Sequence, residues 1–278
     1  MDFALSSHLF ANDRLNSHAL DQILAAGIHR IEIFAARQHL DYHDANQVRD
    51  VAQWFADHNV ALHSVHAPMF SDTNWGRLGG FAVSIASLER RLRIDSTDEI
   101  KRALEIAERL PFRYLVVHLG LAEEEYDLRK FDAAFSSLEH LNIFAKDRGV
   151  QILLENIPND LSTPERLVQF IKYTRLDVKV CLDTGHAHMA GGVAPAFETL
   201  KEYIASTHVH DNHQLKDEHL MPYDGDIDWE QTVRDFRAAT ASVPFLFELH
   251  YQDAAPDSLT RVRQVMEKLE QSATDPES

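Results

Sequence analysis

Val180-Cys-Leu-Asp-Thr-Gly-His-Ala-His188 is followed by Ser206-Thr-His-Val-His-Asp-Asn212 and then by Lys216-Asp-Glu-His219. Each piece ends in imidazoles and carboxylates that suit metal binding or proton transfer. They are Asp183, His186, His188, His208, His210, Asp211, Asp217 and His219. Burying such groups without partners costs several kcal/mol each. The stretch therefore predicts one or more bound metal ions.

The whole chain has the size and composition of one large globular domain. Of its 278 residues, 45% are hydrophobic and 26% are charged, which is ordinary for such a domain. We expect a single domain over residues 1–278, with 273–278 as a frayed tail. No signal-peptide pattern and no membrane-length apolar run are present, and the lone Cys181 excludes an internal disulfide. These features favour a cytoplasmic protein with no membrane partner.

The charge balance argues against nucleic acid as a partner. The chain has 27 basic and 44 acidic residues and a net charge of -17, whereas non-specific DNA binding depends on Lys and Arg neutralising phosphates. Bound metal ions can make the local electrostatic potential positive in a chain of negative net charge. The net charge therefore disfavours nucleic acid as a partner but does not exclude it.

Eight apolar runs predict β-strands, and a helical pattern follows each of them. The predicted strands are 3–7, 29–35, 60–68, 114–120, 150–156, 178–183, 205–211 and 244–250. A capping box, Ser96-Thr-Asp-Glu99, predicts a helix start after a long loop over 69–95, and a weaker helix is expected around 196–202. Count and length favour a single (β/α)8 TIM barrel. A doubly wound sheet is the alternative, but it would not bring groups from so many strands to one place.

Polar residues fall at or just beyond the carboxyl ends of the predicted strands. They are His66, His118, Glu155, Asn156, Asp183, His186, His208, Asp217, His219 and Glu248. These ends form one face of a barrel, so residues distant in sequence converge there. Clustered carboxylates repel one another without cations. Mixed imidazole and carboxylate ligands suit Zn²⁺, Mn²⁺ or Fe²⁺ better than Ca²⁺ or Mg²⁺.

Further residues are candidates for substrate contact, although a structural or solvated role is the alternative for each. They are His8, Glu32, Trp75, Arg77, His188 and His210. Trp75 and Arg77 lie in the long loop, which is expected to close over a substrate. Cys181 is expected to be a small buried hydrophobic residue rather than a nucleophile.

Several motifs together resemble the xylose isomerase-like TIM barrel superfamily, which includes sugar isomerases, epimerases and endonuclease IV. The motifs are Leu182-Asp-Thr-Gly-His186, His208-Val-His-Asp211, Asp217-Glu-His219, Gly225-Asp-Ile-Asp-Trp229, Glu155-Asn156 and Phe247-Glu-Leu249. The resemblance covers nearly the whole chain and implies the same barrel.

The resemblance implies two ligand sets. In the sugar branch one divalent ion is held by four residues, which here are Glu155, Asp183, His208 and Glu248. In endonuclease IV three zinc ions use nine ligands, and all nine positions match. The five additional ones are His66, His118, His186, Asp217 and His219. We therefore expect one to three ions of Mn or Zn.

The ligand sets leave the chemistry open. The net charge and the lack of a Lys/Arg stripe near the strand ends favour a metal-dependent isomerase or epimerase of a sugar or sugar phosphate, acting through a metal-stabilised enediolate. Glu155 and Glu248 would exchange the proton, with His186 as an alternative base. An endonuclease IV-like phosphodiesterase acting on abasic sites is the second hypothesis. Another lyase or hydrolase, or a non-catalytic binding barrel, is also open. Barrels of this kind often pair, so a homo-oligomer is compatible with the sequence.

Overall fold

The computed structural model describes residues 1–239, 243–250 and 257–272, and its strands form one parallel eight-stranded sheet. The strands are β1 Phe3–Ser6, β2 Arg30–Phe34, β3 Ala61–His66, β4 Tyr114–His118, β5 Gln151–Glu155, β6 Lys179–Asp183, β7 Ile204–His208 and β8 Phe245–Phe247. Consecutive strands are neighbours from β1 to β7, and β8 pairs with β1. The predicted (β/α)8 barrel is therefore confirmed.

The barrel closes where β7 meets β8. Val209 N donates to Leu246 O at 2.7 Å, and Glu248 N donates to Val209 O at 3.2 Å. This contact brings the residue after β8 beside the end of β7. It therefore sets Glu248 next to His208, two residues that lie 40 positions apart in the chain.

The described residues contain nine α-helices. They are α1 Ser17–Ala25, α2 Ala45–Asp57, α3 Arg90–Leu104, α4 Leu128–Lys146, α5 Pro164–Thr174, α6 Thr184–Met189, α7 Val193–Leu200, α8 Trp229–Ala239 and α9 Ser258–Ser272. Side-chain caps fix some of the starts, as where Asn16 accepts a hydrogen bond from Ala19 N. None of the described helices has the length and apolarity needed to cross a membrane. The cytoplasmic location stays a prediction.

The strands are buried on both faces, as their nearly unbroken apolar sequences predict for a parallel sheet. Leu115, Leu153 and Leu182 are completely buried. Each such side chain contributes about 1.5–3 kcal/mol relative to an exposed one. Cys181 is also completely buried, as expected for a small hydrophobic residue. The polar groups of the barrel therefore concentrate at its mouth and in a few paired positions inside.

The predicted helix start at Ser96 is wrong, because α3 already begins at Arg90. Ser96 Oγ accepts a hydrogen bond from Ser84 N at 3.0 Å. The buried Glu99 accepts one from the Tyr42 hydroxyl at 2.6 Å. The residues that resemble a capping box therefore make tertiary contacts inside the helix, and they tie down the loop that precedes it.

Other boundaries differ at the carboxyl ends of the last strands. Helix α6 was not predicted, and it begins directly after β6, where Asp183 Oδ1 accepts a hydrogen bond from His186 N at 2.7 Å. β7 ends at His208 and β8 at Phe247, three residues before their predicted ends. The predicted tail 273–278 lies outside the described residues. The single-domain assignment of residues 1–278 stays a prediction.

Candidate metal centre

The mouth of the barrel brings all nine predicted metal ligands into three adjoining groups. We call Glu155, Asp183, His208 and Glu248 the central cluster, and His66 and His118, which approach Glu155, the histidine pair. His186, His210, Asp217 and His219 form the outer cluster. Within each group, one ligand atom from every residue lies within 4.8 Å of the others. Glu155 belongs to two groups and joins them.

The central cluster is built from the ends of β5 to β8 and is completely buried or nearly so. His208 Nδ1 lies 3.1 Å from Glu155 Oε1 and 3.2 Å from Glu248 Oε2. It also lies 3.9 Å from Asp183 Oδ2. One imidazole therefore faces three carboxylates in a region that water does not reach. Three such carboxylates repel one another unless protons or a cation lie between them.

The histidine pair presents two ring nitrogens to one oxygen of Glu155. His118 Nε2 lies 3.1 Å and His66 Nε2 lies 3.4 Å from Glu155 Oε2. His66 Nδ1 donates to Ala67 O at 2.8 Å. A proton on Nδ1 leaves Nε2 with a free lone pair, which is the arrangement of a metal-ligating histidine.

The outer cluster lies on α6 and on the loop after β7. His186 Nε2 and His219 Nε2 lie 3.1 and 3.2 Å from the same oxygen, Asp217 Oδ2. His219 Nδ1 donates to Glu248 O at 2.9 Å, so Nε2 is the ring nitrogen that would give up its proton to a cation. Asp217 is the most open member, with 35% of its side chain exposed. This cluster is therefore more accessible than the central one.

His210 is a further member of the outer cluster, where the sequence suggested a substrate contact. Its ring is completely buried and stacks on His219 at 3.9 Å between centroids. His210 Nε2 lies 3.0 Å from Asp183 Oδ2. A Cβ on Gly185 would lie 2.0 Å from the His210 ring. Only glycine therefore lets this ring reach Asp183, which explains the glycine in the Asp-Thr-Gly-His motif.

The neighbouring charges set the pKa values of these groups. Burial raises the pKa of Glu155, but the His208 and His118 rings lower it to well below its ordinary value. Burial lowers the pKa of His186, but Asp183 and Asp217 outweigh it and raise the value to about 10. The mouth therefore keeps carboxylates ionised and His186 protonated at neutral pH. A bound cation would displace this proton, so the role of His186 as a base stays a prediction.

Glu32 lies beneath the cluster, which corrects the expectation that it touches substrate. It is completely buried, and Glu32 Oε1 lies 3.2 Å from His208 Nε2. Ser64 Oγ donates to Glu32 Oε2 at 2.7 Å. Glu32 therefore orients the His208 ring from the side opposite to the central cluster. Carboxylates behind metal-ligating histidines play this role widely.

Asn156 and Asp211 hold the framework of the site. Asn156 Oδ1 accepts a hydrogen bond from Asp183 N at 2.8 Å, and its amide donates to Asp183 O at 2.9 Å. Asp211, a candidate ligand by sequence, instead accepts hydrogen bonds from Ile227 N at 3.1 Å and Trp229 Nε1 at 2.7 Å. The Asp211 carboxylate is thus engaged in holding the loop after β7, and it joins none of the three groups.

A cavity of about 720 Å³ opens above the three groups. His8, Trp75 and Arg77 line it, as the sequence suggested, whereas the buried His188 is absent from its lining. Phe34 and Gln38 also line the cavity, and Gln38 Nε2 is buried without a partner. We add both residues to the candidates for substrate contact. Sequence reasoning missed them because a loop amide and a strand-end Phe carry no distinctive pattern.

The residues present fit a divalent cation. The clusters combine imidazole nitrogens with carboxylate oxygens, a donor set that suits Zn²⁺ and Mn²⁺. His186 Nδ1 is buried without a hydrogen bond, although it lies 3.4 Å from Asp183 Oδ1 and 3.5 Å from Glu155 Oε1. An unpartnered nitrogen between two carboxylates is the arrangement expected where a cation completes the contacts.

The sequence profile described as xylose isomerase-like TIM barrel matches residues 20–271. The chain belongs to this family. An uncharacterized protein of Methanocaldococcus jannaschii is 30% identical over 248 residues, which cover 85% of this chain and 80% of that protein. A Haloarcula marismortui protein named a probable endonuclease 4 is 28% identical over 231 residues, covering 75% of this chain and 76% of that protein.

Solved structures share the whole fold of this family member. A D-tagatose 3-epimerase-like protein matches with a TM-score of 0.80 at 24% identity, over 98% of each chain. The IOLI protein, solved with a bound zinc atom, matches with a TM-score of 0.78 at 18% identity. That match covers 97% of this chain and 98% of the other. At these identities the likeness shows the fold, and the chemistry has to be argued from the site.

Proposed function

We propose that this protein is a divalent-metal-dependent isomerase or epimerase of a sugar or sugar derivative. The observation that carries the proposal is the central cluster, in which Glu155, Asp183, His208 and Glu248 converge within 4.8 Å. The cluster lies at the floor of a cavity large enough for a sugar. The D-tagatose 3-epimerase-like neighbour supports the choice of substrate class.

The metal would be held by the central cluster, and one to three ions of Mn²⁺ or Zn²⁺ fit the three groups. When bound, a divalent cation supplies a Lewis acid that polarises a substrate carbonyl. The zinc atom of the IOLI protein supports a metal at the mouth of this fold. Metal analysis of protein purified without chelator should give at least one transition metal per chain, and its absence would refute the site.

Proton transfer would fall to Glu155 and Glu248. Both carboxylates approach the same ring nitrogen, His208 Nδ1, at 3.1 and 3.2 Å from strands on different sides of the floor. One carboxylate removes the proton next to the sugar carbonyl, and the other returns it to the same or the neighbouring carbon. His186 Nδ1 lies 3.5 Å from Glu155 Oε1, so His186 stays the alternative base for this proton transfer.

Three ketoses that name the structural neighbours test this proposal: D-tagatose, D-psicose and L-ribulose. Incubation in D₂O with Mn²⁺ should place deuterium at a carbon next to the carbonyl of an accepted sugar, since the removed proton exchanges with solvent. The exchange should disappear in Glu155→Gln and Glu248→Gln. Retention of near-normal exchange in either variant would show that the carboxylates do not move the proton.

An endonuclease 4-like phosphodiesterase is the second candidate. The histidine pair and three residues of the outer cluster, His186, Asp217 and His219, complete the nine predicted ligands, and the Haloarcula marismortui relative supports this chemistry. Against it, Arg77 is the only Lys or Arg among the described residues that line the cavity. The net charge of -17 also opposes a polyanionic substrate.

A duplex with one abasic site separates the two candidates. The proposed epimerase should leave the duplex intact in the presence of Zn²⁺ or Mn²⁺. Rapid nicking that EDTA abolishes would establish the phosphodiesterase. Asp217→Asn serves as the matched variant, because nicking by a three-metal site requires the outer cluster.

A further inference from the structure

The cavity has room for more than a single sugar. Its volume of about 720 Å³ equals that of about two dozen waters, at ~30 Å³ for each water. A hexose has about twelve non-hydrogen atoms, which are bonded and therefore occupy less volume than about twelve separate waters, so it fills less than about half of this space. The inference drawn from this surplus rests on the proposed function, since it assumes that the reacting sugar lies on the central cluster.

A row of aromatic rings leads from the proposed metal ligands to the rim of the cavity. The Phe34 ring lies 4.7 Å from His66 and 5.6 Å from Trp75, between centroids. The His8 ring lies 5.3 Å from His219 and 6.5 Å from Trp75. A substrate held at the floor therefore extends directly onto the faces and edges of Phe34 and Trp75.

The loop between β3 and α3 adds an apolar wall beside these rings. Phe70, Val83 and Ile85 line the same cavity, and their side chains offer no hydrogen bond. A hydroxyl-rich group against this wall would lose its water without gaining partners. The wall therefore suits hydrocarbon or an aromatic ring better than a second sugar.

The loop is held in place by its own hydrogen bonds. The Asp72 carboxylate accepts four backbone N–H groups from residues 74–80, at 2.7 to 3.1 Å. A Cβ on Gly80 would lie 2.6 Å from the Asp72 side chain, so the turn requires glycine. Trp75 is thus positioned before a ligand arrives, and binding does not have to order it.

The described residues of the rim provide one cationic side chain for a phosphate group. Arg77 is the only Lys or Arg among the described lining residues, and its side chain is exposed. Phosphate recognition normally combines Arg or Lys with backbone N–H groups at a helix start. The described lining remote from the clusters therefore carries one cation, Arg77, and the amides of Asn12, Gln38 and Asn74, and is otherwise largely apolar.

We propose that the substrate is an uncharged sugar derivative that carries an apolar substituent, such as a glycoside with an aromatic aglycone. The sugar lies on the central cluster, and the substituent packs on Phe34 and Trp75 against the loop wall. Trp75 is then a specificity-determining residue. Sugar phosphates, which the sequence left open, are excluded as the preferred substrates.

Three hydroxamic acids share the same metal-binding group and differ in the substituent that would reach the part of the cavity remote from the clusters. They test the preference of that part of the cavity without knowledge of the sugar. Acetohydroxamate carries a methyl group, phenylacetohydroxamate a phenyl ring and phosphonoacetohydroxamate a phosphonate. Calorimetric titration of the Mn²⁺-loaded protein should show the phenyl compound binding about tenfold or more tighter than the methyl compound. The phosphonate compound should gain less than about threefold.

Two variants of the loop assign the preference to Trp75. Trp75→Ala should remove most of the phenyl advantage and leave acetohydroxamate binding unchanged, and Trp75→Phe should keep about half of it in free energy. Leu78→Ala, three residues away on the same loop and outside the cavity lining, is the matched control and should change none of the three affinities. Circular dichroism checks that each variant folds.

The possible failures are distinguishable. Equal binding of the methyl and phenyl compounds would overturn the apolar substituent while leaving the metal site intact. Tightest binding of the phosphonate compound, lost in Arg77→Ala, would replace the inference with a phosphorylated substrate. No binding of any hydroxamate to protein with measured bound Mn²⁺ would refute both the inference and the proposed function.

Discussion

Two pairs of buried histidines in different regions of this barrel have pKa values shifted in opposite directions. Burial favours the neutral ring in both. At the mouth, however, nearby carboxylates raise the pKa of His186 to about 10 and that of His219 to about 9. Away from the clusters, the pKa of His39 and that of His63 fall to about 4. The difference teaches that paired carboxylates, and not depth, decide where this protein holds positive charge, and such a place also suits a metal cation.

The largest expected effect comes from removing the carboxylate that joins two groups at the mouth. Glu155→Gln should lower kcat by about 10³-fold or more, since it removes both a metal ligand and a proton-transferring group. Bound metal, measured by elemental analysis, should fall with it. Glu125→Gln, on an exposed loop, is the control. Full metal content in Glu155→Gln would contradict the shared role of Glu155.

Metal affinity should depend steeply on pH, because the cation displaces the protons that the mouth holds. His186 and His219 stay protonated below about pH 10 and about pH 9 without metal. Affinity should therefore rise by about tenfold per pH unit from pH 6 to 8 for each proton released. Competition with a chelating dye measures it. A metal affinity that does not change between pH 6 and 8 would show that the histidines at the mouth do not hold these protons, and it would contradict the difference between the two regions.

Stability should fall in acid because of the histidines held neutral. Burial lowers the pKa of His39 to about 4 in the folded chain from its ordinary value of 6.5, so the unfolded chain binds more protons between these values. The free energy of unfolding therefore drops as pH falls from 6.5 to 4, by about 3 kcal/mol for this ring. Urea titrations of His39→Gln should show the shallower dependence, and the exposed His140→Gln should keep the wild-type slope.

A smaller effect is expected from the carboxylate behind His208. Glu32→Gln keeps the shape but removes the charge, so His208 is held less firmly and its ring is less basic. Affinity for Zn²⁺ should fall by about tenfold to a hundredfold. Ser64→Ala, which removes only a hydrogen bond to Glu32, should lose less. An unchanged Zn²⁺ affinity in Glu32→Gln would show that the charge of Glu32 does not support His208 as a metal ligand and that Glu32 only packs in the barrel.

The smallest effect on sugar chemistry should come from the outer cluster. Asp217→Asn should lower kcat for an accepted sugar by less than about tenfold, since the central cluster stays complete. Elemental analysis should show about one ion less where the wild type binds more than one. A loss as large as that of Glu155→Gln would place the outer cluster in the reaction itself.

The sequence predicted the barrel and the convergence at its mouth for one physical reason. Parallel strands buried on both faces read as apolar runs, and their carboxyl ends meet at one face. Polar residues that end these runs, such as Asp183 and His208, are therefore visible without a structure. Their roles as ligands stay predictions.

Other parts depend on contacts that no local pattern records. Glu32 sits in mid-strand, and only its contact with His208 reveals its role. The start of α3 was misplaced because Ser96 and Glu99 bond to distant residues instead of the helix backbone. Helix α6 is only six residues long, too short for its own periodicity to stand out.

The loop after β7 is closed at its base by one pair of backbone hydrogen bonds. Asp211 N donates to Leu220 O at 2.8 Å, and Leu220 N donates back to Asp211 O at 2.9 Å. Asp217 and His219 lie between these two residues, in a loop segment whose two ends are hydrogen-bonded to each other. Asn212 and His219 bond to Gly185 O and Glu248 O, so residues 213–218 are the part of the loop that can be replaced with least disturbance of the strands. A change confined to this segment can remove the outer ligand Asp217 and leave the residues of the central cluster in place.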